Sequence, residues 1–268
     1  GLLLDGNKKH LSEAESVQNV CFTARVGAGK TSQYIIPNVL DKANQNVSIV
    51  VHDPKGEVHQ ATSGYLHANG YNIVIFNPHD ISASNFFNPF TEAKNSVELE
   101  LIAETLIWSG NSKEGDAYWN NGATRILSAL IKCLSFGDKK HFNLPNLYHL
   151  LQNFGSMGEG LENWISNNCW DPQFPEDESV LNEWKGALTG NKEAIQSCVG
   201  ISLTALKALT NRDPRTFFSK SDYDLSNLRK QAKFVFSLLI KILFCLTKQE
   251  IELASLKRTQ PYFVRQNL

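Results

Sequence analysis

Three short apolar runs alternate with helix-length stretches in the first eighty residues, and this alternation constrains the fold more than any other feature. Val20-Cys21-Phe22-Thr23 leads into a glycine-bearing turn, after which Thr31-Ser32-Gln33-Tyr34-Ile35-Ile36 opens a helix that Pro37 is expected to end or kink. Val47-Ser48-Ile49-Val50-Val51-His52 has the composition of a strand buried on both faces, and it stops at Asp53-Pro54-Lys55-Gly56-Glu57. A helix is expected over 57–68, with Asn69-Gly70 as its stop signal, before a third strand at Asn72-Ile73-Val74-Ile75-Phe76 closed by Asn77-Pro78. Strand, helix, strand, helix, strand in that order requires crossover connections. Parallel strands in an α/β sheet follow.

From about Thr91 the strand signal disappears for more than a hundred residues. Val97 to Ile107 and Tyr118 to Leu134 carry apolar residues at helical spacing, the second through Ile126, Leu127, Leu130, Ile131 and Leu134. Leu147 to Phe154 and Ala194 to Leu209 are read as helices too, and Trp170 to Asp177, with Pro172 and Pro175, as a loop. Asp213-Pro214 marks a second boundary, and Phe234-Val235-Phe236 a return to the sheet. The expected organisation is a first part of a nucleotide-binding domain over 1–90, an all-helical insertion over 91–210, and a partial return with an atypical tail over 211–268.

Composition excludes several function classes. Lys+Arg is 26 and Asp+Glu 27, so no global charge draws the chain to nucleic acid; such contact would need a local basic patch or an assembled ring. The five cysteines, Cys21, Cys133, Cys169, Cys198 and Cys245, are scattered and form no C-x-x-C pair, which points to inert thiols in a reducing compartment. His52, His59, His67 and His79 have no metal-ligand spacing. The apolar stretch Phe234 to Leu246 is broken by Ser237 and Lys241 and is too short for a bilayer, so a cytoplasmic chain is expected. Gly1 is not Met, as in a fragment without its native start.

The turn after the first apolar run carries chemistry. Ala24-Arg25-Val26-Gly27-Ala28-Gly29-Lys30-Thr31 follows the phosphate-loop pattern G-x-x-x-x-G-K-[ST] except that Ala24 replaces the first glycine. Small residues let backbone N–H groups close round a phosphate, a lysine reaches the terminal phosphates, and a hydroxyl binds Mg²⁺. Gly27, Ala28, Gly29, Lys30, Thr31 and Ser32 are therefore the expected ATP-binding residues, with Thr31 the metal ligand. Asp53, at a strand end, either holds Mg²⁺ through water beside that loop or caps the turn that follows; its Asp-Pro pair favours the cap. Lys55 and Glu57 fit the same edge or a solvated loop. Glu98, Glu100 and Glu104 are read as a solvated helix face, and Trp108, Trp119, Trp164, Trp170 and Trp184 as core, with stacking on single-stranded DNA a minor alternative. A small-molecule kinase would need lid arginines, for which Arg212 and Arg215 are the clustered candidates.

In order along the chain, Gly27-Ala28-Gly29-Lys30-Thr31 with Ile36-Pro37-Asn38-Val39-Leu40, Val50-Val51-His52-Asp53-Pro54-Lys55-Gly56-Glu57, Ile75-Phe76-Asn77-Pro78, Asn88-Pro89-Phe90 and Tyr118-Trp119-Asn120-Asn121-Gly122-Ala123 resemble the TraG/TraD-type coupling proteins of type IV secretion, the DNA-transfer ATPases of conjugation. The resemblance is good over about 15–135 and looser to about 210. It implies a RecA-like P-loop sheet with an all-helical insertion, and hexameric rings at the cytoplasmic face of the inner membrane. It further implies a link between the single-stranded DNA of the relaxosome and the secretion-channel proteins. By the same resemblance Lys30 contacts the phosphates, Thr31 ligates Mg²⁺ and Asp53 lies near the nucleotide edge. The family's transmembrane helices and its later strand ending in Asp-Glu, which activates water, have no counterpart in this sequence, and the tail from Ser237 departs from the family. A truncated or frameshifted product that binds nucleotide but hydrolyses it poorly is the resulting expectation; the alternative is a non-catalytic remnant or interaction module.

Overall fold

The computed structural model describes residues 1–6, 8–45, 47–110, 117–155, 157–169, 179–225, 234–238 and 262–265. Their contacts divide the chain into two compact units, Gly1–Asn85 with Asp224–Leu268, and Phe86–Tyr223.

In the first unit the helices are α1 (Glu13–Ser16), α2 (Ile36–Lys42) and α3 (Glu57–Ala68), and the strands β1 (Ile49–His52), β2 (Asn72–Phe76), β3 (Phe234–Leu238) and β4 (Tyr262–Arg265). All strand pairs are parallel, in the order β2-β3-β1-β4. The expected return at Phe234 is thus in the sheet, between the two earlier strands, with Val50 in register with Phe236 and Val74 with Phe236 on its other side. The β4 pairing was not foreseen in the tail. On the far side of β2, Asn85 closes the edge: its backbone N–H donates to the Ile75 carbonyl at 2.7 Å and its side-chain oxygen accepts the Ile75 N–H at 3.0 Å.

One expectation needs correction. Val20-Cys21-Phe22-Thr23 forms no strand; the segment runs irregular and exposed. The physical reason is that both edges of β1 are taken, by β3 and β4, so the sheet offers this run no central slot. Of the two outcomes expected at Pro37, an end or a kink, the helix does not end. Lys30–Ile35 winds as a wide π-helical turn, in which the Ile36 N–H donates back to the Thr31 carbonyl, and α2 then continues through Pro37. The change of winding falls just ahead of a residue that has no N–H to give, which is where a helix accommodates proline at least cost.

Tyr34, Ile35, Val39 and Ala43 from this helical segment pack with Ile49 and Val51 of β1, Val58 and Leu66 of α3, and Tyr71. Tyr71 locks the corner by donating from its hydroxyl to the Val47 carbonyl at 3.0 Å. Buried Asn38 ties down the N-terminal segment: its side chain accepts the Leu3 N–H at 2.7 Å and donates to the Leu3 carbonyl at 2.8 Å and the Tyr34 carbonyl at 2.9 Å.

The second unit contains α4 (Ser96–Gly110), α5 (Ala117–Ser135), α6 (Leu144–Gln152), α7 (Glu159–Asn168), α8 (Ser179–Ala187), α9 (Lys192–Ala205) and α10 (Arg212–Phe217), and no strand among its described residues. Four of these were legible as helices from apolar spacing; α7, α8 and α10 were not, and the loop expected at 170–177 lies outside the described residues. The unit extends to Tyr223, past the boundary expected near 210, because the Phe87 N–H donates to the Phe217 carbonyl at 3.0 Å and the Asp222 N–H to the Phe86 carbonyl at 3.1 Å. At its centre α5 buries Ile126, Leu127, Leu130 and Ile131. Gly122 permits the close approach of α9, since a Cβ there would stand 2.6 Å from the Cys198 sulfur. Trp184 is buried against Phe154, whereas Trp119 and Trp164 are part-exposed, Trp108 is exposed, and Trp170 lies outside the described residues.

Glu100 is exposed, as expected of a solvated helix face, and is also paired. With Glu183 of α8 it accepts hydrogen bonds from the Lys132 ammonium on α5, and Glu183 also accepts one from the Ser128 hydroxyl at 3.2 Å. Burial alone would lower the Lys132 pKa; the two carboxylate bonds outweigh it and hold it above the ordinary lysine value. The thiols of Cys133 and Cys198 are pushed up, the first by its hydrogen bond with Cys169 and then by burial, the second by burial. Cys21 is exposed, and Cys245 lies outside the described residues.

Candidate functional site

The glycine-bearing turn is built by local backbone chemistry. Gly27 and Gly29 have φ of 79° and 81°, the left-handed region that side chains with a Cβ rarely adopt. The Ala28 N–H donates to the Arg25 carbonyl at 3.1 Å, closing the turn, and Gly29 starts the helical segment, its carbonyl accepting the Gln33 N–H at 2.7 Å. Ala24, in place of the usual first glycine, has no positive φ. Nothing lies within 4 Å of a Cβ placed on Gly27, and Val26 is fully exposed, so the turn is open to solvent.

The cation is held inside the turn. The Lys30 ammonium donates to the Ala24 carbonyl at 2.8 Å and the Arg25 carbonyl at 3.3 Å. Thr31 is half-buried one residue on, and the Ser32 hydroxyl donates to the Gly29 carbonyl at 3.4 Å. The sequence-expected residues 27–32 thus form one continuous turn and helix start. Neither Arg212 nor Arg215 belongs to this unit.

Asp53 sits at the end of β1 and is completely buried. One carboxylate oxygen accepts the His59 N–H at 2.9 Å, capping the first turn of α3, while its carbonyl accepts the Gly56 N–H at 3.0 Å. The cap role favoured from its Asp-Pro context is the one observed. Its other oxygen, Oδ1, has no hydrogen-bond partner among the described residues. A buried carboxylate oxygen left over in this way is fitted to receive a donor or a metal-bound water. The residues of the turn fit a phosphate with its magnesium: backbone N–H groups open to solvent, a lysine and a hydroxyl; Asp53 offers an acidic oxygen with spare capacity at the end of β1. Lys55 and Glu57 are exposed at the same strand end.

What sequence reasoning missed at the site is the π-helical turn and the lysine-to-carbonyl contacts. The contacts leave no mark on residue types, since any backbone carbonyl can accept from a lysine. For the π-helical turn the usable signal was Pro37 inside an otherwise helical run.

A parallel α/β sheet, with a glycine turn and lysine that lead into a helix ahead of its first strand, defines the class as an α/β protein carrying a P-loop-like turn. The family follows from comparison with known proteins. The family model described as type IV secretory system conjugative DNA transfer matches residues 4–242, and the chain belongs to that family. The match ends within the tail.

Solved structures of the plasmid coupling protein TrwB have the same fold. An unbound form of this bacterial conjugative coupling protein aligns at 14% identity and TM-score 0.55, covering 85% of this chain and 49% of that one. A complex with the non-hydrolysable ATP analogue ADPNP aligns at 14% identity and TM-score 0.57, covering 86% and 51%, and a complex with ADP and Mg²⁺ at 14% and 0.55, covering 82% and 48%. The chain therefore spans about half the length of these structures. No match was found among curated protein sequences. Among the described residues no helix is long and apolar enough to cross a membrane.

Proposed function

We propose that this chain is the nucleotide-binding motor portion of a conjugation coupling protein, a RecA-like sheet with an all-helical insertion, that binds ATP with Mg²⁺ through Gly27, Ala28, Gly29, Lys30, Thr31 and Ser32. The observation that carries this is the pair of left-handed glycines leading directly into a helical start at Lys30, with the lysine ammonium folded over the turn. In this reading the backbone N–H groups of 27–32 bind the phosphates, Lys30 contacts the phosphate oxygens, Thr31 is the metal ligand, and the spare oxygen of Asp53 orients a water at the nucleotide edge. Magnesium supplies charge neutralisation at the phosphates when bound. The TrwB complexes with ADPNP and with ADP and Mg²⁺ support the choice of ligand.

The wider role is movement of single-stranded DNA or protein from a relaxosome toward the type IV secretion channel, by a homo-hexamer at the inner membrane; family membership supports it. This sequence holds no apolar run ending in Asp-Glu after Phe234, which supports binding with slow hydrolysis by this chain. The test is ATP binding and turnover by one purified sample, with Lys30→Ala as control. Micromolar binding lost in the variant, without steady turnover, is the expected result. Absence of binding by the native chain sinks the proposal, and rapid turnover sinks its hydrolytic half.

A further inference from the structure

Two buried thiols in the helical unit meet each other, and the nucleotide reading uses neither. Cys133 lies in the last turn of α5 and is fully buried, and Cys169 directly follows α7 and is 5% exposed. The Cys169 thiol donates to the Cys133 carbonyl at 3.6 Å, and the Cys133 thiol has its own hydrogen bond with Cys169. The Cys169 N–H donates to the Ile165 carbonyl at 2.9 Å, so the end of α7 fixes where its sulfur sits. The other described cysteines are placed differently: the Cys198 sulfur faces the Trp119 carbonyl at 3.8 Å, and Cys21 is exposed in the sheet-bearing unit.

We propose that Cys133 and Cys169 are a dithiol site for low-molecular-weight disulfides such as oxidised glutathione, and that they close to a cross-link between α5 and the end of α7. The proposal does not depend on the nucleotide site. A disulfide holds its sulfurs about 2.05 Å and its Cβ atoms about 3.8 Å apart, and side chains in hydrogen-bond contact are within reach of that geometry. The hydrogen bond with Cys169, and then burial, push the Cys133 thiol up, so it stays protonated and inert while the pair is closed. Cys169 stands at a helix end, where local opening starts, and it reacts first. Its thiolate attacks one sulfur of the oxidised glutathione. A mixed disulfide forms, and one glutathione thiolate leaves and takes up a proton. Cys133, deprotonated in its turn, attacks the Cys169 sulfur and expels the second glutathione. The protein dithiol loses two electrons and two protons, and one glutathione disulfide becomes two thiols. The loop so closed contains α6 and α7, and the link restricts that length of chain in the unfolded state.

The test equilibrates the intact chain across ratios of oxidised to reduced glutathione, then alkylates it and maps its peptides by mass spectrometry without reductant. Calorimetry follows melting. The expected result is a peptide pair linked through Cys133 and Cys169 and released by dithiothreitol, with a melting temperature about 5–15 °C higher in the linked form. In Cys133→Ala the exchange should stop at glutathione bound to Cys169, and absence of that adduct overturns the order of attack. The map of the native chain decides the site itself, whatever the variant's stability. Both thiols free at every ratio overturns the proposal. So does a link from either cysteine to a different one, or a linked form that melts no higher than the reduced chain.

Discussion

The helix α5 and the segment ahead of Lys30 are both rich in apolar residues, yet one is sealed and the other is open. Along α5, Ile126, Leu127, Leu130 and Ile131 are buried among neighbouring helices, and even its Lys132 is neutralised by two carboxylates. Along 20–26, apolar side chains face solvent and the nearby lysine is satisfied by main-chain carbonyls. The difference separates stability from function. A cluster sealed in a core contributes stability, whereas a segment held by a few surface contacts stays accessible to solvent and contributes little.

The largest test of this contrast lies in the helical unit. Trp184→Ala removes a fully buried side chain packed on Phe154 and should cost about 3–5 kcal/mol, read by chemical denaturation. A smaller loss would mean that the helical unit is looser than its packing implies. Next, Asn38→Ala strands the Leu3 N–H and two carbonyls and should cost about 2 kcal/mol in the sheet-bearing unit, with early hydrogen exchange at residues 1–6. The Lys132 cluster gives a pH signature. Its folded-state pKa is raised, so its contribution is full below the ordinary lysine value of 10.5 and is lost as the pH climbs through the folded value. Because both carboxylates are partly exposed, the loss should be about 1 kcal/mol, and absent in Lys132→Met. The smallest effect belongs to the open segment: Val26→Ser should shift the stability by less than about 0.5 kcal/mol. A large loss there would break the contrast, since it would show the exposed residue to be part of a core.

The sequence was most informative where the signal is local. The 57–68 helix and the 72–76 strand appear with those bounds, and the run 47–52 yields a strand over Ile49–His52. At the site, Gly27 and Gly29 needed no partner to be recognisable, because a left-handed turn selects glycine wherever it occurs. Asp53 was legible as a cap, but its unpaired oxygen was not, since pairing depends on what surrounds a buried group. Glu100 shows the same limit. Its helical spacing fits a solvated face equally well, and only the arrival of α5 and α8 supplies Lys132 and a second carboxylate.

By itself, then, the sequence determined the alternation of strand and helix, the helical spacing of the second unit and the chemistry of the glycine turn. These are set by backbone preferences and by side-chain periods of two and 3.6 residues, which act over a few neighbours. Tertiary structure alone decided that β3 lies between β1 and β2, that Val20–Thr23 stays out of the sheet, and that Lys30 turns back onto Ala24 and Arg25. Strand order depends on which segments, nearly two hundred residues apart, reach an edge of β1, and once both edges are filled an apolar run with sound strand chemistry has no place in the middle of the sheet.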